Sequence, residues 1–288
     1  FSMISVVLVP RDDANAFNTK EVTTYRNLPP KISDNLPFWN GTITYSGSTE
    51  ATDVYADQGV PEGTKFILGT DNLGRSIAKR IIVGVRISLL IAIVATLIDL
   101  LIGVTYGLIS GYVGGKVDMI MQRIIEVISS IPNLVIVTML GLLLGNGVTS
   151  IIISIAIVGW TSMARQVRNL TLSYRELEFV LAARSLGDSA PKIAFKHILP
   201  NISGIIIVQI MMTVPSAIMY EAVLSAINLG VKPPTASLGS LITDAQEYLQ
   251  YYPYQVILPA LALVLISLAF ILLGDGLRDA FDPKSGDR

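Results

Sequence analysis

From Val127 to Ala164 the sequence carries no charged residue, and a run of that length decides which solvent the chain folds in. A helix needs roughly 20 apolar residues to cross the hydrocarbon core of a bilayer, where every backbone amide must be bonded within its own element. Gly145-Asn146-Gly147 splits the run and its flank into two spans, about Met119–Leu144 and Val148–Met163, joined by a tight hairpin. Three more runs meet the same requirement: about Ile87–Ser110, broken only by Asp99; Asn201–Leu229, with Glu221 as its only charge; and Tyr254–Gly274, with none. The pattern predicts an all-α polytopic membrane protein with five complete spans. The opening FSMISVVLV supplies nine residues before Pro10. It lacks the basic start and small-residue cleavage site of a signal peptide, so residues 1–9 read as the end of a truncated first helix, a sixth span, with a surface strand as the alternative.

Hydrophobic residues make up 51% of the chain and charged ones 15%, and the mean hydropathy is +0.59, beyond what an ordinary globular domain carries. A net charge of −1 offers no basic field for nucleic acid. Cysteine is absent and His197 is the single histidine, which excludes a disulfide framework and a Cys/His metal site. There is also no His-supported nucleophile and no recognisable carboxylate pair, so the chain itself is expected to catalyse nothing.

Lys and Arg near span ends favour the cytoplasmic side. Arg165, Arg168, Arg175, Arg184, Lys192 and Lys196 crowd one segment, whereas the Gly145 hairpin has no cation and the loop Gly230–Pro253 has only Lys232. That segment is therefore placed in the cytoplasm. Alternation puts Gly111–Val117 and the 275–288 tail inside, and the Gly145 turn, the Gly230 loop and residues 10–80 outside, leaving 81–288 as the membrane core. Arg75, Lys79, Arg80 and Arg86 conflict with this, because they fall at the outer end of the first complete span. Residues 10–65 show no sustained helical or strand period and read as an extracytoplasmic segment. Gly69 to Ser76 matches a phosphate-binding loop except that Arg75 replaces the lysine, and its position outside the membrane argues against nucleotide binding.

A polar, basic island, EFVLAARSLGDSAPKIAFKHILP, runs from Glu178 to Pro200 between two apolar runs. Glu178 to Leu186 suits a short amphipathic helix on which Ala182 and Ala183 admit a partner surface closely. Gly187 supplies the permissive backbone that ends it. Asp188 or Ser189 can cap a second short helix with Pro191 in its first turn, leading into the span after Pro200. The order Ala-Ala, three residues, Gly, a spacer and Leu199-Pro200 resembles the EAA loop of ATP-binding-cassette (ABC) importer permeases. Further strings are similar to oligopeptide and dipeptide transporter permeases: Gly69-Thr70-Asp71, Gly84–Leu89, Trp160 with Ala164–Arg168, Glu221-Ala222 with Leu224-Ser225, Pro233-Pro234 and Ser237-Leu238-Gly239. The tail Leu273–Pro283 resembles the homologous subunit that ends in Gly-Asp-Gly-Leu-Arg-Asp. Leu181 departs from the loop's namesake Glu, and His197 stands where the general motif has Ile.

This resemblance implies a type I ABC importer permease fold in the bacterial plasma membrane. It implies a homologous second permease, two ATP-binding subunits that hold ATP and Mg, an extracytoplasmic peptide-binding protein and surrounding lipid, with no cofactor on this chain. By the same resemblance Glu178, Ala182, Ala183, Arg184, Gly187, Leu199 and Pro200 couple to the ATPase. Peptide is the implied cargo, with nickel or glutathione as alternatives; a proton-coupled secondary carrier using Asp99 or Glu221, and an intramembrane enzyme or structural membrane protein, are the other readings. A charge at the centre of a span costs about 2.5–3.5 kcal/mol on insertion scales. Asp99 and Glu221 are thus either path residues or helix-to-helix hydrogen bonds, and both readings stand. Arg123 and Glu126 read as an exposed pair on one helix face, and Pro132, Pro215 and Pro259 as kinks.

Overall fold

The computed structural model describes residues 9–15, 22–44, 50–145 and 147–281. The expected truncated helix at 1–9, apart from Val9, and the tail beyond 281 lie outside the described residues. The principal helices are α1 (Ile77–Val113), α2 (Gly115–Ser130), α3 (Asn133–Leu144), α4 (Val148–Tyr174), α5 (Glu178–Ser185), α6 (Leu199–Ala226), α7 (Leu238–Ala245) and α8 (Tyr254–Phe281). α1, α4, the helical run Ala190–Ala226 and α8 are each long and apolar enough to cross a membrane. The pair α2 and α3 makes a fifth span if counted as one, but it is bent by 76°.

The bend falls at Pro132, one of the three prolines expected to kink their spans, within the expected span Met119–Leu144. Pro132 has no N–H and disfavours helical backbone at the residue before it. Ile131 is accordingly extended (φ −80°, ψ 124°), and Pro132 becomes the N-cap of a new helix. Pro215 and Pro259, by contrast, lie inside unbroken helices. α1 begins at Ile77, ahead of the expected start near Ile87.

The described residues fall into two compact units, one within 1–89 and 221–265 and the other within 90–220 and 266–288. In the first, Leu28, Val54 and Tyr55 form a small core with Tyr25, Ile43, Val60 and Phe66 packed against it. Two short antiparallel strands, β1 (Thr42–Ile43) and β2 (Thr52–Asp53), pair beside it. Burial pushes the Tyr55 phenol up to about 12, so it stays protonated and donates to the Pro29 carbonyl at 3.0 Å. The Gly69–Ser76 loop closes on its own Asp71. One carboxylate oxygen accepts from the backbone N–H groups of Leu73 and Arg75, both at 2.9 Å. The other accepts from Arg75 Nε and an Arg80 guanidinium nitrogen, both at 2.8 Å. The amides such a loop would offer a phosphate are thus held by a side chain. Arg80 also meets Asp244 at 3.5 Å. Two of the four cations that conflicted with the expected orientation are therefore neutralised internally rather than exposed.

The second unit is built on α1 and α4. Val104 and Leu108 of α1 join Met163 and Val167 of α4, Val180 and Ala183 of α5, and Ile193, Ile198, Ile202 and Ile206 beyond them in one buried core. A separate cluster sets Ile125, Trp160 and Ala164 against Tyr106 and Ile128. Arg168 holds Asp118 through two nitrogens at 2.5 Å, fixing α4 to α2.

Candidate functional site

The Glu178–Pro200 segment folds as a compact corner. α5 buries Val180 and Ala183 while Glu178, Ala182, Arg184 and Gly187 are exposed. It ends in a Schellman motif: the Gly187 N–H donates to the Arg184 carbonyl and the Asp188 N–H to the Ala183 carbonyl, both at 3.1 Å. The motif requires a left-handed residue, and Gly187 supplies it at φ +84° with open space around its Cα. Asp188 then pins the corner from outside, bonding Lys192 at 2.5 Å and His197 at 3.0 Å. Lys192, and after it His197, hold the Asp188 carboxyl below its usual value. The expected second helix forms at Ala190–Lys192 after Ser189, although the Ser189 side chain makes no capping hydrogen bond.

Two expectations are corrected here. Ala183 does not face a partner, because it is 6% exposed and packs into the subunit's own core; of the two alanines, Ala182 is the one presented. Leu199-Pro200 does not close the segment, because the helix runs on through it. Pro200 cannot donate to the preceding turn, and the turn before it, Ile193–Ile198, is a wider π-helical one. Arg184 stacks over the Tyr112 ring at 5.7 Å. Around Ala182 the surface is apolar, with Leu186 86% exposed and Phe179, Leu181 and Phe195 also uncovered.

The two carboxylates left open by sequence have different surroundings. Glu221 is fully buried. It accepts hydrogen bonds from Ser237 at 2.6 Å, Ser225 at 2.8 Å and Ser88 at 3.1 Å. Ser237 also caps α7 through a capping box with Ser240, so the carboxylate sits at a helix N-terminus, where negative charge is favoured. Gly239 lets that terminus approach α6; an added Cβ would lie 2.5 Å from Ala222 Cα. Glu221 is therefore a clamp between three segments, which supports its hydrogen-bonding reading.

Asp99 is 1% exposed, and its Oδ1 is buried with no hydrogen-bond partner among the described residues. It belongs to a stripe that sequence reading missed. Gly103, Gly107 and Gly111 follow Asp99 at four-residue spacing on α1, and an added Cβ on each would fall 2.6 to 2.7 Å from α4. The repeat of small residues every four positions was the available signal, since it lets helix backbones touch in lipid. One turn up the same seam, Asp99 meets Gly159, whose missing side chain makes room for the carboxylate. Asp99 lines a cavity of about 430 Å³ together with Asn133, Ser154, Gln209, Ser216 and Tyr220.

Residues 103–286 match the family model described as the binding-protein-dependent transport system inner membrane component. Over 287 residues the chain is 64% identical to the dipeptide transport system permease protein DppC of Lactococcus lactis subsp. cremoris, covering 100% of this chain and 84% of that protein. It is 46% identical over 224 residues to the oligopeptide transport system permease protein OppC of Bacillus subtilis, covering 78% of this chain and 73% of that one. Among solved structures, an inward-facing MetNI methionine ABC transporter matches with a TM-score of 0.59 at 20% identity, over 68% of this chain and 94% of that chain. The fold is thus that of an ABC importer permease, and its apolar helices make it a multi-pass protein of the bacterial plasma membrane. The chain belongs to the family of inner-membrane components of binding-protein-dependent transport systems.

Proposed function

We propose that this chain is one permease subunit of an ATP-driven peptide importer. The observation that carries the reading is the 64% identity to a dipeptide permease along the whole chain. In this reading it lines half of the translocation path beside a homologous permease. An extracytoplasmic binding protein delivers the peptide, and two ATPase subunits bind ATP and Mg and perform the hydrolysis. The exposed apolar patch around Ala182, with Leu186 at its tip, supplies the docking surface for an ATPase. Glu178, Arg184 and Gly187 rim or end that helix, while Leu199 and Pro200 carry its displacement into α6. The corner is fastened by its Schellman turn and by Asp188, so a push on α5 is delivered to the span that follows instead of being absorbed by a loose loop.

The test is purification of the tagged chain from its native membrane in mild detergent, followed by reconstitution with what copurifies. A second permease and two ATPases, with ATP-dependent uptake of a dipeptide, is the expected result. ATP-dependent uptake of nickel or glutathione instead of peptide would reassign the cargo. A chain that purifies alone and transports in a proton gradient would overturn the importer reading.

A further inference from the structure

We propose that Asp99 and the cavity it lines form a cation subsite within the permease, one that receives the ammonium group of the transported peptide. The inference rests on the peptide-importer reading and adds to it a site and a chemistry. A carboxylate inside a span is expensive unless something answers its charge. Glu221 is answered by three serine hydroxyls. Asp99 is as deeply buried, yet its Oδ1 has no partner among the described residues. The phenol oxygen of Tyr220, lining the same cavity, is likewise buried without a partner among the described residues.

The cavity has the size and character of a ligand site. Its volume of about 430 Å³ lies within the roughly 300–1,000 Å³ usual for small-molecule pockets. Asp99 is the only acidic or basic side chain among the lining residues; the other polar ones, such as Gln209, Thr213 and Ser216, are neutral. A lone carboxylate among neutral hydrogen-bonding groups selects a cation. The same lining offers hydroxyls and an amide to peptide bonds, and Met212 and Val158 to apolar side chains. Gly159 makes room for the Asp99 carboxylate beside the cavity, because any side chain there would overlap it. Across the seam the Asp99 carboxyl has the Trp160 backbone as a hydrogen-bond partner, which leaves Oδ1 unanswered among the described residues, whereas Glu221 is bonded on both oxygens.

The test uses the whole complex of both permeases and both ATPases in nanodiscs without the binding protein. ATP-driven Ala-Ala uptake by the same wild-type complex in sealed proteoliposomes with its binding protein is measured first; its absence would defeat the peptide reading itself. Equilibrium binding is then measured for labelled Ala-Ala, N-acetyl-Ala-Ala and N-acetyl-lysine. Saturable Ala-Ala binding is expected, weakened about tenfold or more by N-acetylation and by Asp99→Asn, as for loss of a charge-assisted hydrogen bond. Asp99→Asn should leave the weak binding of N-acetyl-Ala-Ala unchanged. N-acetyl-lysine binding as tightly as Ala-Ala supports a site for any ammonium, and weaker binding supports one for the peptide terminus. Tyr220→Phe should weaken Ala-Ala severalfold, and it decides the matter if Asp99→Asn fails to assemble with its partners. Unaltered Ala-Ala affinity in the variants, equal binding of the acetylated peptide, or no saturable binding to a transport-competent complex would overturn the proposal.

Discussion

The glycine seam between α1 and α4 makes a prediction whose sign can be worked out in advance. A Cβ on Gly107 would lie 2.6 Å from the Ala164 carbonyl oxygen, 2.7 Å from Val167 Cβ and 2.9 Å from the Arg168 nitrogen. Two of these are backbone atoms, which cannot rotate away as the end of a flexible side chain can. Gly107→Ala must therefore force the helices apart, and doing so opens the equally close contacts at Gly103 and Gly111. Overpacking of this kind costs about 1–3 kcal/mol, and the gain in helix propensity returns about 0.8–1.0 kcal/mol. The net expectation is a loss of up to about 2 kcal/mol. Gly276 is the internal control. It also lies within a helix but has nothing within 4 Å of an added Cβ, so Gly276→Ala keeps the propensity gain alone. Thermal unfolding of the purified chain in detergent, followed by the loss of its gel-filtration peak, should lower the midpoint for Gly107→Ala and hold or raise it for Gly276→Ala. A Gly107→Ala protein as stable as the Gly276→Ala protein would refute the close-packed seam.

Gly187→Val should cut ATP-driven uptake while membrane expression holds, and Gly187→Asn should retain more activity, because the site is spatially open and only the left-handed backbone, worth about 1–2 kcal/mol, opposes a side chain; equal loss in both variants would remove backbone strain as the cause. Glu221→Ala leaves three buried serine hydroxyls without their acceptor and should destabilise the chain by about 2–4 kcal/mol, read as a lower midpoint in the same thermal assay; lost transport at an unchanged midpoint would reinstate Glu221 as a path residue. Asp71→Asn removes the shared counter-charge of two buried arginines, a loss of about 3–5 kcal/mol. Faster tryptic cleavage within residues 10–80 should report it, and an unchanged digest would refute the role assigned to Asp71. Lys192 and His197 lower the Asp188 carboxyl, so its support of the corner is full above the ordinary carboxylate value of about 3.9 and is lost only as pH falls through the lowered one. Amide exchange over residues 186–198, corrected for the intrinsic rate, should therefore stay flat from pH 7 to 5, and a rise within that window would show that another group holds the corner.

What the sequence disclosed depended on how local the cause was. The corner at Glu178–Gly187 was legible because its chemistry is contiguous: small residues, then a glycine that must adopt positive φ, four to five positions on. The kink at Pro132 was legible from the proline itself, but Pro215 and Pro259 read the same way and lie inside unbroken helices; nothing in the apolar count separates a proline that breaks its span from one that does not. The partner of Glu221 could not be read off. Ser88, Ser225 and Ser237 stand in separate strings that each resembled the peptide-permease pattern, and nothing in linear order says that they meet on one carboxylate. Arg75 and Arg80 were likewise not readable in linear order, because the orientation rule counts free cations whereas these two are paired with Asp71.

The coupling corner and the Asp99 cavity are joined by shared elements, and this gives the proposed stroke a physical route. The core beneath α5 contains Val104 and Leu108 of α1 and Met163 and Val167 of α4, and these same helices touch along the seam that carries Asp99. Close-packed backbone contacts shear poorly, because any sliding drives Gly103 and Gly107 against the side chains and carbonyls opposite. A displacement of α5 is thus expected to move α1 and α4 together, with Asp99 and Gly159 keeping their mutual distance. α6 is attached differently. It follows the corner through the wide turn at Ile193–Ile198 and supplies Gln209, Ser216 and Tyr220 to the cavity wall. The wall formed by α6 is then the one free to shift against the carboxylate, so a stroke received at Ala182 changes what faces Asp99 without disturbing Asp99 itself. A disulfide tying α1 to α4 at positions clear of Asp99 and Gly159 should on this account leave transport intact, while tying α1 to α6 across the cavity should arrest it.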